Sequence, residues 1–483
     1  MSGADADAVV VGSGPNGLSA AVRLARAGAS VLVLEGHEQI GGGARTAQLT
    51  LPGFHHDVCS AVHPMGILSP WFRELPLEEH GLRWLRPAAS VAHPLDDQPA
   101  VMLRRPVEET ASALGGERDA RAYRRLVEPF LRDPPGFFRD ALAPFRIPRH
   151  PFRLLRFGAV GLRSAAAVAK RFGGARGRAL LAGCAAHSIL PLEQPLTGAV
   201  GLMFLLAGHV EPWPVAAGGS GAITSALASL LRSLGGRIQT GVQVTSLDQL
   251  PPARLYLFDT SPAQLARIAA PALPPGYLRR LHRYRYGPAA FKLDWALDGS
   301  IPWKDPACLQ ASTVHLGGTF EEIAAAEAAV WRGEHPERPY VLLCQQSEHD
   351  RSRAPEGKHT GWAYCHVPSG STVDLTSIVE RQIERFAPGF RDRVLARRVT
   401  APADLEAYNP SYKGGAITGG VNDLGQLFTR PVARLDPYST PNPRIFLCSA
   451  STPPGGGVHG MCGYHAATSA LLRLERFRPA PLR

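Results

Sequence analysis

The first 35 residues of this 483-residue chain constrain its fold more than any other stretch. "AVVV" (8–11) is a short apolar run of the kind buried on both faces in a parallel sheet. It leads directly into G-x-G-x-x-G at Gly12, Gly14 and Gly17, with Pro15 and Asn16 between the last two glycines. Small and apolar residues then recur at helical spacing from Leu18 to Ala27, and Gly28 suits a helix C-cap. "SVLVL" (30–34) follows as a second strand, with Glu35 at its end. Gly12 makes the tight turn, Gly14 lets backbone approach a pyrophosphate, and Gly17 lets the helix pack on the strand. The helix N-terminus, opened by Pro15 and Asn16, offers unpaired N–H groups and a partial positive charge to phosphates. Glu35 can accept hydrogen bonds from an adenosine ribose and would repel a 2′-phosphate. The ordered unit predicts dinucleotide binding.

Composition narrows the remaining classes. Hydrophobic residues at 45% and charged residues at 19% fit an ordinary soluble enzyme. No apolar run is long enough to span a membrane. The acidic start "MSGADADAVVVG" lacks the basic n-region of a secretory signal, so the expected location is cytoplasmic. Cys59, Cys184, Cys308, Cys344, Cys365, Cys448 and Cys462 are scattered without a C-x-x-C pair. That spacing predicts buried thiols rather than a metal site or a disulfide framework. The net charge of +11 is concentrated in residues 131–180, where eleven Arg or Lys face two Asp. No nucleic-acid-binding signature accompanies it, so no nucleic-acid partner is expected. Arginines recur among apolar residues over 146–178, which suggests a substrate entrance and possible peripheral membrane contact; a solvated helical face is the alternative.

A second glycine run, "GHEQIGGGART" (36–46), separates two cofactor classes. Here the sequence resembles the flavoprotein superfamily of amine oxidases, phytoene desaturases and Rab-GDP dissociation inhibitors. In that superfamily an acid, five residues and a glycine pair follow the Rossmann fingerprint. This chain has Glu35, five residues, then Gly41 and Gly42, with Thr46 in the expected place. Gly43 stands where many members carry an arginine, and Arg45 lies two positions later. The resemblance implies FAD, held by this run as well as by the fingerprint. It also implies that a returning helix and strand, "AAGGSGAITSALASLLRSLGGRIQTGVQVTSL" (216–247), bring a backbone amide and carbonyl to the adenine. Val244 is the matching position, although a core valine is equally compatible with the pattern.

The chain ends on a third glycine cluster, "STPPGGGVHGMCGYHAA" (451–467), between a strand-like "RIFLCSA" (444–450) and a helical "GYHAATSALLR" (463–473). By resemblance, this segment closes over the flavin. Ser451, Gly456 and Gly457 would approach the cofactor, and amides near Gly460, Met461 and Cys462 would face the pyrimidine edge of the ring. A helix N-terminus there would favour the negative charge of reduced flavin. "DVCSAVHPMG" (57–66), "TVHLGGT" (313–319), "WAYCHVP" (362–368) and the C-terminal cluster are similar to bacterial phytoene desaturase-like oxidoreductases akin to pyridine nucleotide-disulfide oxidoreductase domain-containing protein 2.

"GPAAFKLDWAL" (287–297) alternates cleanly, placing Phe291, Leu293 and Trp295 on one face and Lys292 with Asp294 on the other. Lysine is scarce in this arginine-rich chain. The stretch resembles the amine-oxidase strand whose lysine holds a water at flavin N5, with Trp303 as the accompanying tryptophan. Lys292 is therefore the candidate catalytic residue; a partly exposed Lys292–Asp294 pair is the competing reading. His315, His366, His459 and His465 are read as structural.

The expected architecture is α/β: a Rossmann-type FAD-binding domain (1–75, 210–272 and 425–483) interleaved with a mixed-sheet plus helical substrate domain (76–209 and 273–424). Residues 75–209 read as mostly helical. The expected activity is FAD-dependent dehydrogenation or desaturation of a small apolar substrate by hydride transfer to flavin. Oxygen, a quinone or another acceptor would then take the electrons. A flavin amine oxidase is the runner-up, and a non-catalytic prenyl- and protein-binding role of the GDP dissociation inhibitor type is the alternative of another class. No metal is expected, and nothing in the sequence gives the oligomeric state.

Overall fold

The computed structural model describes residues 6–144 and 151–476, with side chains through Leu474. The apolar runs near both ends and the middle of the chain meet in one parallel five-stranded sheet. Its order is Ile445–Leu447, Ala253–Phe258, Ala6–Val11, Val31–Leu34 and Arg237–Gln239. The three central strands are flanked on both faces, so Val9, Val10, Val33 and Leu257 are completely buried. The helix Pro15–Ala25 leaves the first strand through the fingerprint glycines, and Gly12 takes φ +102°, a conformation that favours glycine. The final helix, Met461–Arg476, packs against it. A Cβ on Gly463 would lie 1.8 Å from the Asn16 carbonyl oxygen, so only glycine permits this approach. Residues 447 positions apart, Asn16 and Gly463, are thereby brought to the same end of the sheet, where loops at the carboxyl ends of parallel strands form a ligand crevice.

"RIQTGVQV" is a strand only over Arg237–Gln239. Gly241 adopts φ +71° and turns the chain, and Val242 N then donates to the Glu35 carbonyl at 2.8 Å. The turn at Gly241 therefore ends the expected strand early.

A second, seven-stranded sheet has the order Val394–Thr400, Ala289–Leu297, His359–Val367, Val341–Cys344, Ala311–Leu316, Ala89–His93 and Val101–Leu103. It is antiparallel except where Ala311–Leu316 runs parallel to Ala89–His93. The last two strands fall within residues 75–209, which are otherwise mostly helical, as the sequence suggests. Short buried apolar runs carry no period that distinguishes strand from helix. Phe291, Leu293 and Trp295 pack on one face with Val314, Leu343 and Phe386. The opposite face, bearing Ala290, Leu342 and Tyr364, is covered by the helices Ala175–Ala186 and Thr197–Val210.

The two sheets are locked together at Asp57. Its carboxylate pairs with the fully buried Arg353 and accepts from Ser220 N at 2.7 Å, Thr46 Oγ1 at 3.1 Å and Gln346 Nε2 at 3.2 Å. Trp362 Nε1 donates to its carbonyl at 2.9 Å. Burial would raise this carboxyl, but the Arg353 charge and the Ser220 amide hold it below the usual range. This hub ties Thr46, at the end of the second glycine run, to the strand His359–Val367.

Candidate active site

The candidate site is a cavity of about 760 Å³, within the range of small-molecule and cofactor sites. One end is walled by Gly12, Gly14, Glu35, Gly42 and Val244, the middle by Lys292, Cys59, Trp362 and Gly456–Gly457, and the far end by Phe157, Met203, Phe204 and Trp213. Its first part fits a dinucleotide. Asn16 Oδ1 and Thr260 Oγ1 are buried without a hydrogen-bond partner, and both residues line this end. Buried polar atoms of this kind ordinarily have partners, so these two await one. Gly14 and Gly42 leave a backbone-lined floor between them: a Cβ on Gly42 would lie 3.0 Å from Gly14 Cα.

Glu35 ends the second strand with its carboxylate already ordered. Oε2 accepts from Ser13 N at 2.9 Å and Ser13 Oγ at 2.6 Å; Oε1 accepts from His37 N at 2.9 Å and Arg45 at 3.3 Å. Arg45 also donates to the Ile40 carbonyl, so this arginine orients the acid rather than reaching for a phosphate. Gly43 has a physical reason to lack a side chain. A Cβ there would lie 2.0 Å from the Tyr412 hydroxyl oxygen. Tyr408 donates to the Gly42 carbonyl at 2.8 Å from the same segment.

In the middle of the cavity, Lys292 is buried and its Nζ bonds Asp294. The ammonium also sits 5.5 Å from the centroid of the Trp362 ring. The pair expected from strand alternation is thus present but fully enclosed, and Lys292 lines the cavity. Burial pushes the Asp294 carboxyl up to about 6 even against the opposing Lys292 charge. Burial, then the Lys292 and Arg353 charges, push His56 down to about 3, so the histidine 3.7 Å from Asp294 is neutral. Trp303 does not join this group: its indole donates to Gln345 at 3.0 Å within the core on the other sheet face. The tryptophan over the lysine is Trp362, one strand across.

Of the residues expected at the cofactor, Gly12, Gly14, Pro15, Asn16, Glu35, Gly42, Gly43, Val244, Ser451, Gly456 and Gly457 line the cavity. Gly17, Gly41, Thr46, Gly460, Met461 and Cys462 do not. Gly17 lies against the Gly12 carbonyl and Asp259, and Thr46 Oγ1 accepts from Gly221 N at 3.0 Å. Gly41 packs on Ala44, Arg45 and Thr224, and Gly460 lies against Ser19 and Phe72. Met461 N donates to His459 Nδ1 at 3.0 Å, and the Cys462 thiol donates to the carbonyls of Thr452 and Gly455. The C-terminal glycines therefore divide into two jobs: Gly456 and Gly457 face the cavity, while Gly460 and Gly463 seat the last helix on the first.

The histidines read as structural are held by neighbours: His366 by Glu327 at 2.8 Å, His315 by His187 at 3.0 Å, and His465 by the Leu142 carbonyl at 3.1 Å. Burial lowers His459 to about 4. Sequence reasoning missed Asp259, Trp362, His187 and Cys59 as cavity residues. Only Asp259 carried a signal, an acid directly ending a buried strand in "LFDTSP".

The profile of the NAD(P)-binding Rossmann-like domain matches residues 10–75. The chain is 29% identical to "Pyridine nucleotide-disulfide oxidoreductase domain-containing protein 2" from Rattus norvegicus, over 95% of this chain and 92% of that protein. It is 26% identical to "Hydroxyneurosporene desaturase" from Cereibacter sphaeroides, over 96% of this chain and 97% of that protein. The fold is shared with wild-type putrescine oxidase bound to putrescine, with a TM-score of 0.61, 15% identity and 98% of each chain covered. The chain is an oxidoreductase with the two-sheet architecture that its sequence predicts.

Proposed function

We propose that this oxidoreductase binds FAD along the cavity and dehydrogenates a largely apolar small molecule lodged beyond Lys292. The carrying observation is the distribution of charge along that single cavity. Among its described lining residues the only acids are Glu35 and Asp259, both at the glycine loops. The far end offers Phe157, Met203, Phe204 and Trp213 instead. A protonated amine entering there would meet the Lys292 ammonium and find no lining carboxylate, and burying an unpaired charge is costly. A hydrocarbon would exchange water for apolar contact at about 25 cal/mol per Å². The similarity to a desaturase supports this reading over the amine-oxidase one. FAD, when bound, would supply the two-electron acceptor, and oxygen, a quinone or another acceptor would take the electrons from it. The chain's part is to exclude water with the aromatic wall, to fix the cofactor at both glycine clusters, and to place the Lys292 cation on the cavity wall. Anaerobic mixing with polyenes, amines and nicotinamides tests the assignment directly.

The substrate entrance supports delivery from an anionic membrane surface. The helix Pro151–Gly161 turns Phe157 toward the cavity, while Phe152 and Leu155 are 85% and 72% exposed. Arg156 and Arg163 stand beside this apolar face, and burial together with those two charges pushes Arg171 down. Residues 145–150 of the basic stretch lie outside the described residues. Exposed apolar side chains flanked by cations suit an interfacial helix. In flotation with vesicles containing anionic phospholipid, the protein should co-migrate at low salt and be released at high salt. Phe152→Glu with Leu155→Glu should abolish co-migration. An absence of binding at low salt would remove the membrane from the account.

A further inference from the structure

Asp259 is a half-buried acid at the place where an anionic diphosphate is expected. It follows the strand Ala253–Phe258, and its Oδ2 accepts a 2.8 Å hydrogen bond from Gly17 N in the first turn of the helix Pro15–Ala25. It lines the cavity together with Gly12 and Gly14. The fingerprint glycines fit closely around it. A Cβ would lie 2.7 Å from Asp259 Oδ2 if placed on Gly14, 3.0 Å from the same atom on Gly17, and 3.1 Å from Asp259 Cβ on Gly12. The N–H groups and positive helix end that attract phosphate are therefore shared with a carboxyl group.

The groups around Asp259 give it no compensating cation. No ion pair among the described residues includes it. Glu35 acts on it from the end of the strand Val31–Leu34, two places along the sheet, and the Cys448 and Cys462 thiols act from just after the last strand and from the last helix. Arg267 lines the same cavity from an exposed position on the helix Pro262–Ile268. Burial pushes Asp259 up to about 7, with the Gly17 amide opposing and Glu35 adding to the rise.

We propose that Asp259 is a proton-linked partner of the dinucleotide: it is a neutral carboxylic acid in the FAD-loaded protein, so cofactor binding takes up one proton. This rests on the FAD reading above. The neutral acid keeps an oxygen for Gly17 N and turns its O–H into a donor for a phosphate oxygen, whereas the carboxylate would repel it. In balanced form, ionised Asp259, one proton and FAD give the protonated acid with FAD bound. Below about pH 7 the free protein already carries the proton, and affinity is flat. Above it the proton must be taken from solution, and affinity falls by up to about tenfold per pH unit.

The test is the FAD dissociation constant from flavin fluorescence quenching between about pH 6 and about pH 9, for the wild type and Asp259→Asn. Calorimetry in buffers of different ionisation heat counts protons at about pH 8. Wild type should weaken by roughly tenfold per unit above about pH 7 and take up about one proton per FAD. Asp259→Asn keeps an acceptor for Gly17 and should bind with no pH slope, more tightly than wild type at the alkaline end. A flat wild-type profile, no proton uptake, or an equal slope in the variant would overturn the proposal. Should Asp259→Asn fail to fold, wild-type proton uptake decides alone. Failure of FAD to bind at any pH would overturn the FAD reading itself, which is a separate result.

Discussion

Glu35→Ala is expected to weaken FAD binding by about two to four decades and to destabilise the cofactor-free protein. The carboxylate is placed to receive ribose hydroxyls, and two charge-assisted hydrogen bonds contribute about 1.5–3 kcal/mol each. It also carries Ser13 and His37 amides and the buried Arg45. Alanine leaves that guanidinium enclosed without its partner, a loss of roughly 3–5 kcal/mol for a buried pair. The two effects separate in Glu35→Gln, which retains one acceptor for its neighbours while losing the charge. Glu35→Gln should fold near normally yet bind FAD at least about tenfold more weakly by fluorescence quenching. Wild-type affinity in Glu35→Gln would show that Glu35 only shapes the loop.

Lys292→Met is expected to slow reoxidation of the reduced flavin by oxygen by roughly one to three decades. A unit charge about 4 Å from an anion at an effective dielectric near 20 contributes up to about 4 kcal/mol, and the Asp294 counter-charge cuts into that. The pair is too enclosed to be a surface ion pair of negligible worth. The substitution also shifts the burden to Asp294. Its folded-state value, raised to about 6, means the native chain holds a proton that the unfolded chain releases near 3.8. Its contribution to stability is thus fully present below about pH 4 and is lost as pH rises through about 6. Removing Lys292 raises it further, so Lys292→Met should lose stability across a wider neutral range. Lys292→Met with Asp294→Asn should recover stability but not the reoxidation rate. An unchanged rate and an unchanged flavin potential in a fully loaded variant would leave the pair with a structural role alone.

The sequence was most legible where function and local geometry coincide. Gly12, Gly14 and Glu35 are recognisable because turn, phosphate approach and ribose contact each demand one residue type at one spacing. The alternation around Lys292 was equally readable, since a strand buried on both faces fixes which side chains share a face. What escaped were contacts between segments distant in the chain. Gly463 exists for the Asn16 carbonyl, and Gly43 for the Tyr412 hydroxyl, facts of packing across several hundred residues. Trp362 took the place expected of Trp303 because strand pairing, not sequence proximity, sets Lys292 opposite Tyr364 and beside Trp362. Ala89–His93 and Val101–Leu103 were hidden because short apolar strands in a mixed sheet carry no period of their own.

The central claim joins a flavin at the glycine loops to an apolar substrate beyond Lys292, and one anaerobic titration tests both halves. The purified protein, supplemented with FAD if needed, is followed by its visible flavin absorbance as a hydrophobic polyene in detergent micelles is added without oxygen. The account predicts a yellow protein whose absorbance bleaches with the polyene and is unmoved by putrescine or other amines. A colourless protein that takes up no FAD, or a flavin bleached by amines and indifferent to polyenes, would contradict it.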